Sequence, residues 1–161
     1  MDRSQDHANR RVRRQRGVSL AELLAVLALI GLVVVIGVPM VSEQVRQGKI
    51  RGAADQYAMT LKAARMLAVS KRAAQSVTVS VNPTNSYSYV NTRDETISIA
   101  MPEGVRIASS KNPFTFQTNG SIAAAATTVI EAELTAGVTE RWTVSTGIGG
   151  VPTVTRERIE P

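Results

Sequence analysis

Few residues of this 161-residue chain have types and spacing that could do chemistry. There is no cysteine, and the one histidine, His7, lies in an arginine-rich N-terminal segment. Cysteine nucleophiles, disulfides and cysteine-ligated metals are therefore excluded, and Ser–His–Asp and zinc sites are disfavoured. Glu131 and Glu133 alternate along a predicted strand and are better explained as solvated acids than as a catalytic pair. The sequence predicts no enzyme, no catalytic residue, no metal site and no cofactor.

A second feature is the glycine-rich stretch GIGG at residues 147–150. Glycine-rich loops can cradle phosphate groups when a lysine and a helix follow them. Here valine and proline follow instead, so a phosphate-binding loop is not predicted.

The third feature is an acid at the edge of a long apolar run. Residues 1–17 carry six arginines and two aspartates and end at Gly17. From Leu23 to Val41 there are 19 residues without a charged or strongly polar side chain, and Glu22 stands just before them. At about 1.5 Å per residue, a helix of this length crosses the hydrocarbon core of a bilayer. The arginines favour a cytoplasmic N-terminus, with everything after Val41 translocated.

Three interpretations of residues 1–41 compete. A cleaved secretory signal fits the basic segment, but the apolar run exceeds the usual length of about 7–15 residues and no small-x-small site ends it. A plain membrane anchor explains the length. It leaves Glu22 unexplained, since a carboxylate deep in lipid costs about 2.5–3.5 kcal/mol. The third interpretation rests on a resemblance.

The stretch from Arg16 to Glu22, RGVSLAE, resembles the type IV prepilin signal of pilins and type II secretion pseudopilins. The resemblance implies that a prepilin peptidase cuts between Gly17 and Val18 and that Val18 is then N-methylated. Glu22 becomes the fifth residue of the mature chain, where the family places its glutamate. Pro39 falls where the family commonly has a helix-bending proline. Val18 departs from the phenylalanine that is usual there.

This processing gives Glu22 a physical role. Cleavage creates an α-ammonium group at Val18, four residues away. An unpaired charge in an apolar bundle is costly and a paired one much less so, hence the pair would fix the register between neighbouring helices. Pairing within one chain is an alternative. Pro39 lacks an N–H and would kink or open the helix, although prolines are also tolerated in membrane helices.

After Val41 the pattern is that of an amphipathic helix, predicted to extend over residues 42–75. Apolar residues recur at alternating spacings of four and three, which places them on one face. They are Ile50, Ala54, Tyr57, Leu61, Ala64 and Ala68. Seven basic residues occupy mostly the other positions, and a solvated face explains them better than a nucleic-acid or lipid surface.

From residue 76 the period changes to two, which is typical of strands. Strands are predicted at SVTVSV, SYSYV, TISIAM, VRI, FTFQ, TTVIEAEL, VTERWTV and near VPTVT. Asn119-Gly120 predicts a hairpin turn. The expected fold class is α+β, a long N-terminal helix packed on an antiparallel β-sheet domain.

This second half resembles the GspH/FimT branch of the pilin superfamily in PEGVRI, FTFQTNGSI and RWTVSTGIGG. The resemblance implies a helix packed on two small antiparallel sheets. Members often end with Gly-Arg and a further arginine, but here the nearest equivalents are Arg156 and Arg158, interleaved with Glu157. These two arginines are the candidate DNA contacts. Because residues 77–161 are net acidic by two, nucleic acid is an unexpected partner.

The chain is thus expected to have a cleaved leader at 1–17, a transmembrane segment at 18–41, a helical continuation at 42–75 and a periplasmic domain at 76–161. The function implied by the resemblance is that of a minor pseudopilin in a type II secretion pseudopilus. The alternative is a FimT-like minor pilin acting in pilus assembly or DNA uptake. The implied partners are other pilins, the prepilin peptidase, the inner-membrane assembly platform and lipid. The implied location is the bacterial inner membrane.

Overall fold

A computed structural model describes residues 19–81, 83–135 and 137–160, and leaves out the side chains of residues 36–40 and 135. This part of the chain forms one long helix followed by strands. The elements are α1 (Leu20–Lys71), β1 (Gln75–Ser80), β2 (Ser86–Val90), β3 (Thr96–Ala100), β4 (Val105–Ser109), β5 (Phe114–Phe116), β6 (Ala126–Thr135), β7 (Val138–Thr146) and β8 (Pro152–Ile159). The chain divides into two units, Met1–Pro39 and Met40–Pro161.

In the first unit, α1 is apolar on all sides. Every residue from Leu20 to Val35 is exposed, and Leu29 and Val35 are exposed by 67% and 74%. Leucine, isoleucine and valine at consecutive positions give a helix with no polar face, so nothing selects one side for burial. Within the described residues, no helix meets the length and hydropathy that a membrane crossing requires.

In the second unit, α1 buries one face against the strands. All six residues of the predicted apolar stripe are buried, none exposed by more than 2%. The prediction of this face is confirmed. The helix ends at Lys71 and β1 begins at Gln75, so the end predicted at residue 75 was too late by one turn.

The strands form two four-stranded antiparallel sheets. Sheet A has the order β3-β2-β1-β5, and sheet B has the order β4-β6-β7-β8. Tyr57 of α1 contacts both sheets: its ring lies edge-on to Tyr87 of sheet A at 5.0 Å, and its hydroxyl lies 3.1 Å from Thr128 Oγ1 of sheet B. The expected fold class and its helix-on-two-sheets arrangement are confirmed.

The hairpin predicted at Asn119-Gly120 is only partly correct. A turn does form there, closed by the Gln117 N–H donating to the Ser121 carbonyl, and Phe116 makes an isolated bridge with Ile122. The strands on either side, however, belong to different sheets. Strand β5 has only three residues and pairs with β1, whereas β6 begins at Ala126 and pairs with β4 and β7. The turn therefore carries the chain from sheet A to sheet B.

Two asparagine side chains tie separate segments together. The Asn85 side chain donates to the Val105 carbonyl and accepts from the Ile107 N–H, which joins the loop before β2 to β4. The Asn112 side chain accepts from the Val79 N–H at 2.9 Å and donates to the Val79 carbonyl at 2.6 Å. Each amide thus imitates a strand partner, because it offers one donor and one acceptor to a backbone edge.

Candidate functional site

The described part of the N-terminal motif begins at Ser19 and forms the first turn of α1. Ser19 caps the helix: the Glu22 N–H donates to the Ser19 carbonyl at 3.1 Å and lies 3.2 Å from the Ser19 hydroxyl. Glu22 therefore occupies the third position of the first turn, where the helix dipole favours an acid. The predicted processing residues Gly17 and Val18 lie outside the described residues.

Pro39 lies within α1, and the helical hydrogen-bond pattern is assigned on both sides of it. Its side chain is outside the described part of the structure, so the predicted kink stays a prediction.

The candidate DNA contacts lie on β8, one of the two edge strands of sheet B. Arg156 Nε lies 2.9 Å from Glu140 Oε1, and the Arg156 guanidinium lies over the Trp142 ring, 5.8 Å from its centre. Arg158 Nε lies 3.5 Å from Glu160 Oε1 at the surface. Both arginines have acid partners within the chain, and Arg156 also contributes to the packing of sheet B.

Glu140 is a buried acid that the sequence patterns did not predict. It is exposed by only 1%, and its Oε1 accepts a hydrogen bond from Trp142 Nε1 at 2.8 Å and forms an ion pair with Arg156. Its Oε2 is buried without a hydrogen-bond partner among the described residues. The sequence did contain a signal for its burial in the alternation of side chains along β7. Glu140 lies on the same strand face as Trp142 and the buried Val144, so it points toward the core.

A pocket of about 240 Å³ lies beside this carboxylate, between α1 and sheet B. Its walls are Gln44, Gln47, Gly48 and Arg51 of α1 with Glu140, Trp142 and Arg156 of the sheet. Arg51 is largely exposed and lies 3.7 Å from Asp55, one turn further along the helix. Of the charged side chains in these walls, Glu140 and Arg156 already form an ion pair with each other, and Arg51 lies near Asp55.

The glycine-rich motifs meet at Arg65 of α1. Arg65 Nε donates to the Gly120 carbonyl at 3.0 Å, and the Ile122 N–H donates to the Ile148 carbonyl in the 147–150 turn. Gly150 has φ +74°, and a Cβ there would lie 2.0 Å from the Gly120 oxygen. The GIGG stretch thus packs against another backbone segment at Gly150, which explains the glycine at that position.

Two buried tyrosine hydroxyls lie where α1 meets the sheets. Burial raises the pKa of Tyr57 to about 12, although its hydrogen bond with Thr128 works in the opposite direction. Burial also raises the pKa of Tyr87, whose hydroxyl lies 3.4 Å from the Thr60 hydroxyl. Both phenols therefore stay neutral at physiological pH and serve packing.

Both the N-terminal motif and the fold are similar to those of known proteins. Residues 12–38 match the family model of the prokaryotic N-terminal methylation motif. The crystal structure of the type IV minor pilin FimU from Pseudomonas aeruginosa is similar at 19% identity, with a TM-score of 0.52, over 70% of this chain and 90% of that one. The chain thus combines a prokaryotic N-terminal methylation motif with a fold similar to that of a type IV minor pilin. The minor pseudopilin EpsH from the type 2 secretion system of Vibrio cholerae aligns at 13% identity and a TM-score of 0.49, over 70% of this chain and 98% of that one. No curated protein sequence matches the chain.

The matched motif contains Gly17, Val18 and Glu22 and ends one residue before Pro39. In the part of the chain that the structure describes, no cluster of three or more acidic or histidine side chains could hold a metal ion. The features of interest are therefore the N-terminal helix, which carries the matched motif, and the Glu140 cluster.

Proposed function

We propose that the chain is a minor pseudopilin, a structural subunit of a type II secretion pseudopilus. The observation that carries the proposal is the methylation motif at 12–38, which extends into the apolar first part of α1 and is followed by a domain with a pilin-like fold. Processing between Gly17 and Val18 releases the leader and leaves the helix N-terminus free to associate.

The exposed apolar side chains at the start of α1 support a role in which lipid or another subunit covers this helix. Leu23, Leu27 and Ile30 are each exposed by more than half. At about 25 cal/mol per Å² of apolar surface, leaving such a helix in water is strongly unfavourable. Lipid covers it in the stored subunit, and neighbouring helices cover it in the filament. The inner membrane, with a cytoplasmic N-terminus and a periplasmic domain, is the proposed location.

A second candidate is a minor pilin of a type IV pilus, favoured by the likeness of fold to FimU. The pairing of Arg156 with Glu140 weighs against its DNA-uptake variant, because this arginine is already neutralised and packed. Loss of the chain separates the candidates. A pseudopilin mutant fails to export a secreted enzyme and keeps its pili, whereas a pilin mutant loses pili and keeps export.

Glu22 provides the test at the level of a residue. Glu22→Ala should insert into the membrane and be processed, because neither step needs the carboxylate. It should be depleted from sheared filaments at least tenfold, because the charge pair with the N-terminal ammonium is lost. Glu43→Ala, an acid of the same helix outside the motif, is the matched control. Normal incorporation of Glu22→Ala would refute the role of the pair in assembly.

A further inference from the structure

Four charged side chains line a second pocket, of about 350 Å³, between α1 and sheet B. Arg46 and Lys49 come from α1, Glu133 comes from β6, and Glu103 comes from the turn before β4. The volume falls within the range of about 300–1,000 Å³ in which proteins bind small molecules. The cations of the pocket therefore lie on the helix and its carboxylates on the side of the sheet.

The opposite charges of this pocket do not neutralise each other. Lys49 and Glu103 are exposed, and in the described part of the chain neither side chain has an ion-pair or hydrogen-bond partner. Arg46 Nη1 donates to the Leu134 carbonyl at 3.0 Å, which holds the guanidinium against β6 and uses one of its five N–H groups. The pocket thus offers a cationic side and an anionic side to one ligand.

The pocket lies just beyond the end of the apolar run, which closes at Val41. Along a helix that rises about 1.5 Å per residue, Arg46 and Lys49 lie about 7.5 and 12 Å beyond Val41. The headgroup layer on each side of a bilayer is about 5–7 Å thick. Because helical side chains are tilted toward the N-terminus, both cations reach back toward that layer when residues 18–41 span the membrane.

We propose that this pocket binds the headgroup of phosphatidylethanolamine while the subunit is stored in the membrane. This inference rests on the proposed function, because it requires α1 to be anchored in a bilayer. The phosphate carries the negative charge that Arg46 and Lys49 attract, and the ammonium carries the positive charge that Glu103 and Glu133 attract. The formal charges of the four side chains sum to zero, as those of this zwitterionic headgroup do.

The two carboxylates make the pocket selective among phospholipids. Phosphatidylglycerol has a phosphate but no cation, so it would bring a negative charge beside Glu103 and Glu133 without a group to pair with them. Phosphatidylcholine has a cation, but its quaternary ammonium has no N–H to donate. A primary ammonium donates up to three hydrogen bonds, and such bonds to a carboxylate are stronger than neutral ones.

Binding is measured by native mass spectrometry of the full chain in detergent, titrated with dihexanoyl phospholipids of the three headgroups. We expect phosphatidylethanolamine to bind at least fivefold more tightly than the other two. Glu103→Gln should abolish this preference, because it removes the carboxylate that meets the ammonium. Lys49→Gln should weaken the binding of all three lipids at least threefold. Equal affinities of the wild-type chain for the three lipids would overturn the inference.

Lys62→Gln and Glu157→Gln are the matched controls, since both residues are exposed and neither lines the pocket. Both variants should keep their affinity for phosphatidylethanolamine within twofold of wild type. All four substitutions replace exposed side chains, so each Tm should stay within about 4 °C of that of the wild-type chain. A control that loses the preference as completely as Glu103→Gln would refute the assignment to this pocket.

A further measurement identifies the source of the headgroup. The full chain extracted from its native membranes in mild detergent should retain phosphatidylethanolamine at no less than twice its share of the membrane lipid. The variant with both Lys49→Gln and Glu103→Gln should lose this enrichment. Free phosphoethanolamine should bind at least tenfold more weakly than the lipid. If it binds as tightly and no lipid is retained, the ligand is a soluble phosphate ester and the lipid assignment is wrong.

Failure of the two proposals is distinguishable, because lipid binding is measured without filaments. If the chain prefers phosphatidylethanolamine but is not recovered with filaments, the proposed function fails and the headgroup site stands. If the chain is recovered with filaments but shows no preference among the three lipids, the headgroup site alone fails.

Discussion

The Glu140 side chain of β7 holds the edge strand β8 in place through Arg156. It stands at a core-facing position of β7, and its carboxylate binds the Trp142 indole and the Arg156 guanidinium. The register of β7 and β8 places Trp142 opposite Arg156. This arginine therefore anchors β8 to its neighbour, and its availability to an outside ligand is reduced.

Removing Arg156 should destabilise the domain. In Arg156→Ala, the buried Glu140 carboxylate keeps only Trp142 as a donor. We expect a loss of about 1–3 kcal/mol in the free energy of unfolding, less than for a fully buried pair because Arg156 is half-exposed. Urea unfolding of the full chain in detergent measures it.

Arg158→Ala is the matched control, since the Arg158–Glu160 pair is solvated and its loss should change stability by less than about 0.5 kcal/mol. Equal effects of the two substitutions would contradict the anchoring role of Arg156.

At the scale of elements, the junction of the two glycine turns depends on Gly150. Gly150→Ala places a Cβ at φ +74° and 2.0 Å from the Gly120 oxygen, so the turns must separate. We expect a loss of roughly 2–4 kcal/mol. Thermal unfolding of the full chain measures it.

Gly149→Ala is the natural comparison, because no described atom lies within 4 Å of its Cβ position and its φ is not positive. It should change stability by less than about 0.5 kcal/mol. If Gly150→Ala were as harmless as Gly149→Ala, the close approach of the two turns would be refuted.

The contact of α1 with the sheets should weaken at high pH. The pKa of Tyr57 is raised from 10.0 to about 12, so the folded state holds this proton more tightly than the unfolded state. The resulting stability is fully present below about pH 10 and is lost as the pH rises toward 12. The loss is of order 2–3 kcal/mol.

The measurement is the free energy of unfolding against pH, with tyrosinate absorbance as a second signal. Tyr57→Phe should show a shallower decline between pH 10 and 12. Part of the decline remains, because burial also raises the pKa of Tyr87. An unchanged decline in Tyr57→Phe would assign the effect elsewhere.

At the scale of elements, the sequence predicts features that depend on residues close together in the chain, and it does not predict features that depend on the pairing of distant strands. The α1 stripe was readable because a single helix sets the spacing of residues such as Ile50, Tyr57 and Leu61. The division into two sheets was not readable at Asn119-Gly120, since a turn signal does not say which strands pair beyond it. The Glu140 cluster was hidden for a similar reason. Glu140 and Arg156 meet only through the register of β7 and β8.

For the whole molecule, the net acidic charge of residues 77–161 and the ion pairs of Arg156 and Arg158 predict weak binding of DNA. Each free phosphate contact adds about 0.9 to the salt dependence of affinity, and both candidate arginines on β8 already have acid partners. We expect the full chain in detergent to bind DNA with a Kd above about 1 μM in fluorescence anisotropy at about 150 mM salt.

Arg158→Ala is the informative variant for this assay, because it should leave the fold intact. Sub-micromolar binding that this variant abolishes would contradict the expectation and would promote the DNA-uptake pilin over the pseudopilin. Binding that survives it and is lost on neutralising Lys49 and Lys62 would move the contact to the exposed face of α1.

The central claim is that chemistry is done to this chain, at the bond between Gly17 and Val18, before it assembles. Intact-mass measurement of the protein from membranes of its native host tests this most directly. The account predicts a mature chain that begins at Val18 with one added methyl group. It also predicts that Gly17→Val retains the complete 17-residue leader. A mature N-terminus near residue 41, as an ordinary secretory signal would produce, or an unprocessed wild-type chain would contradict it.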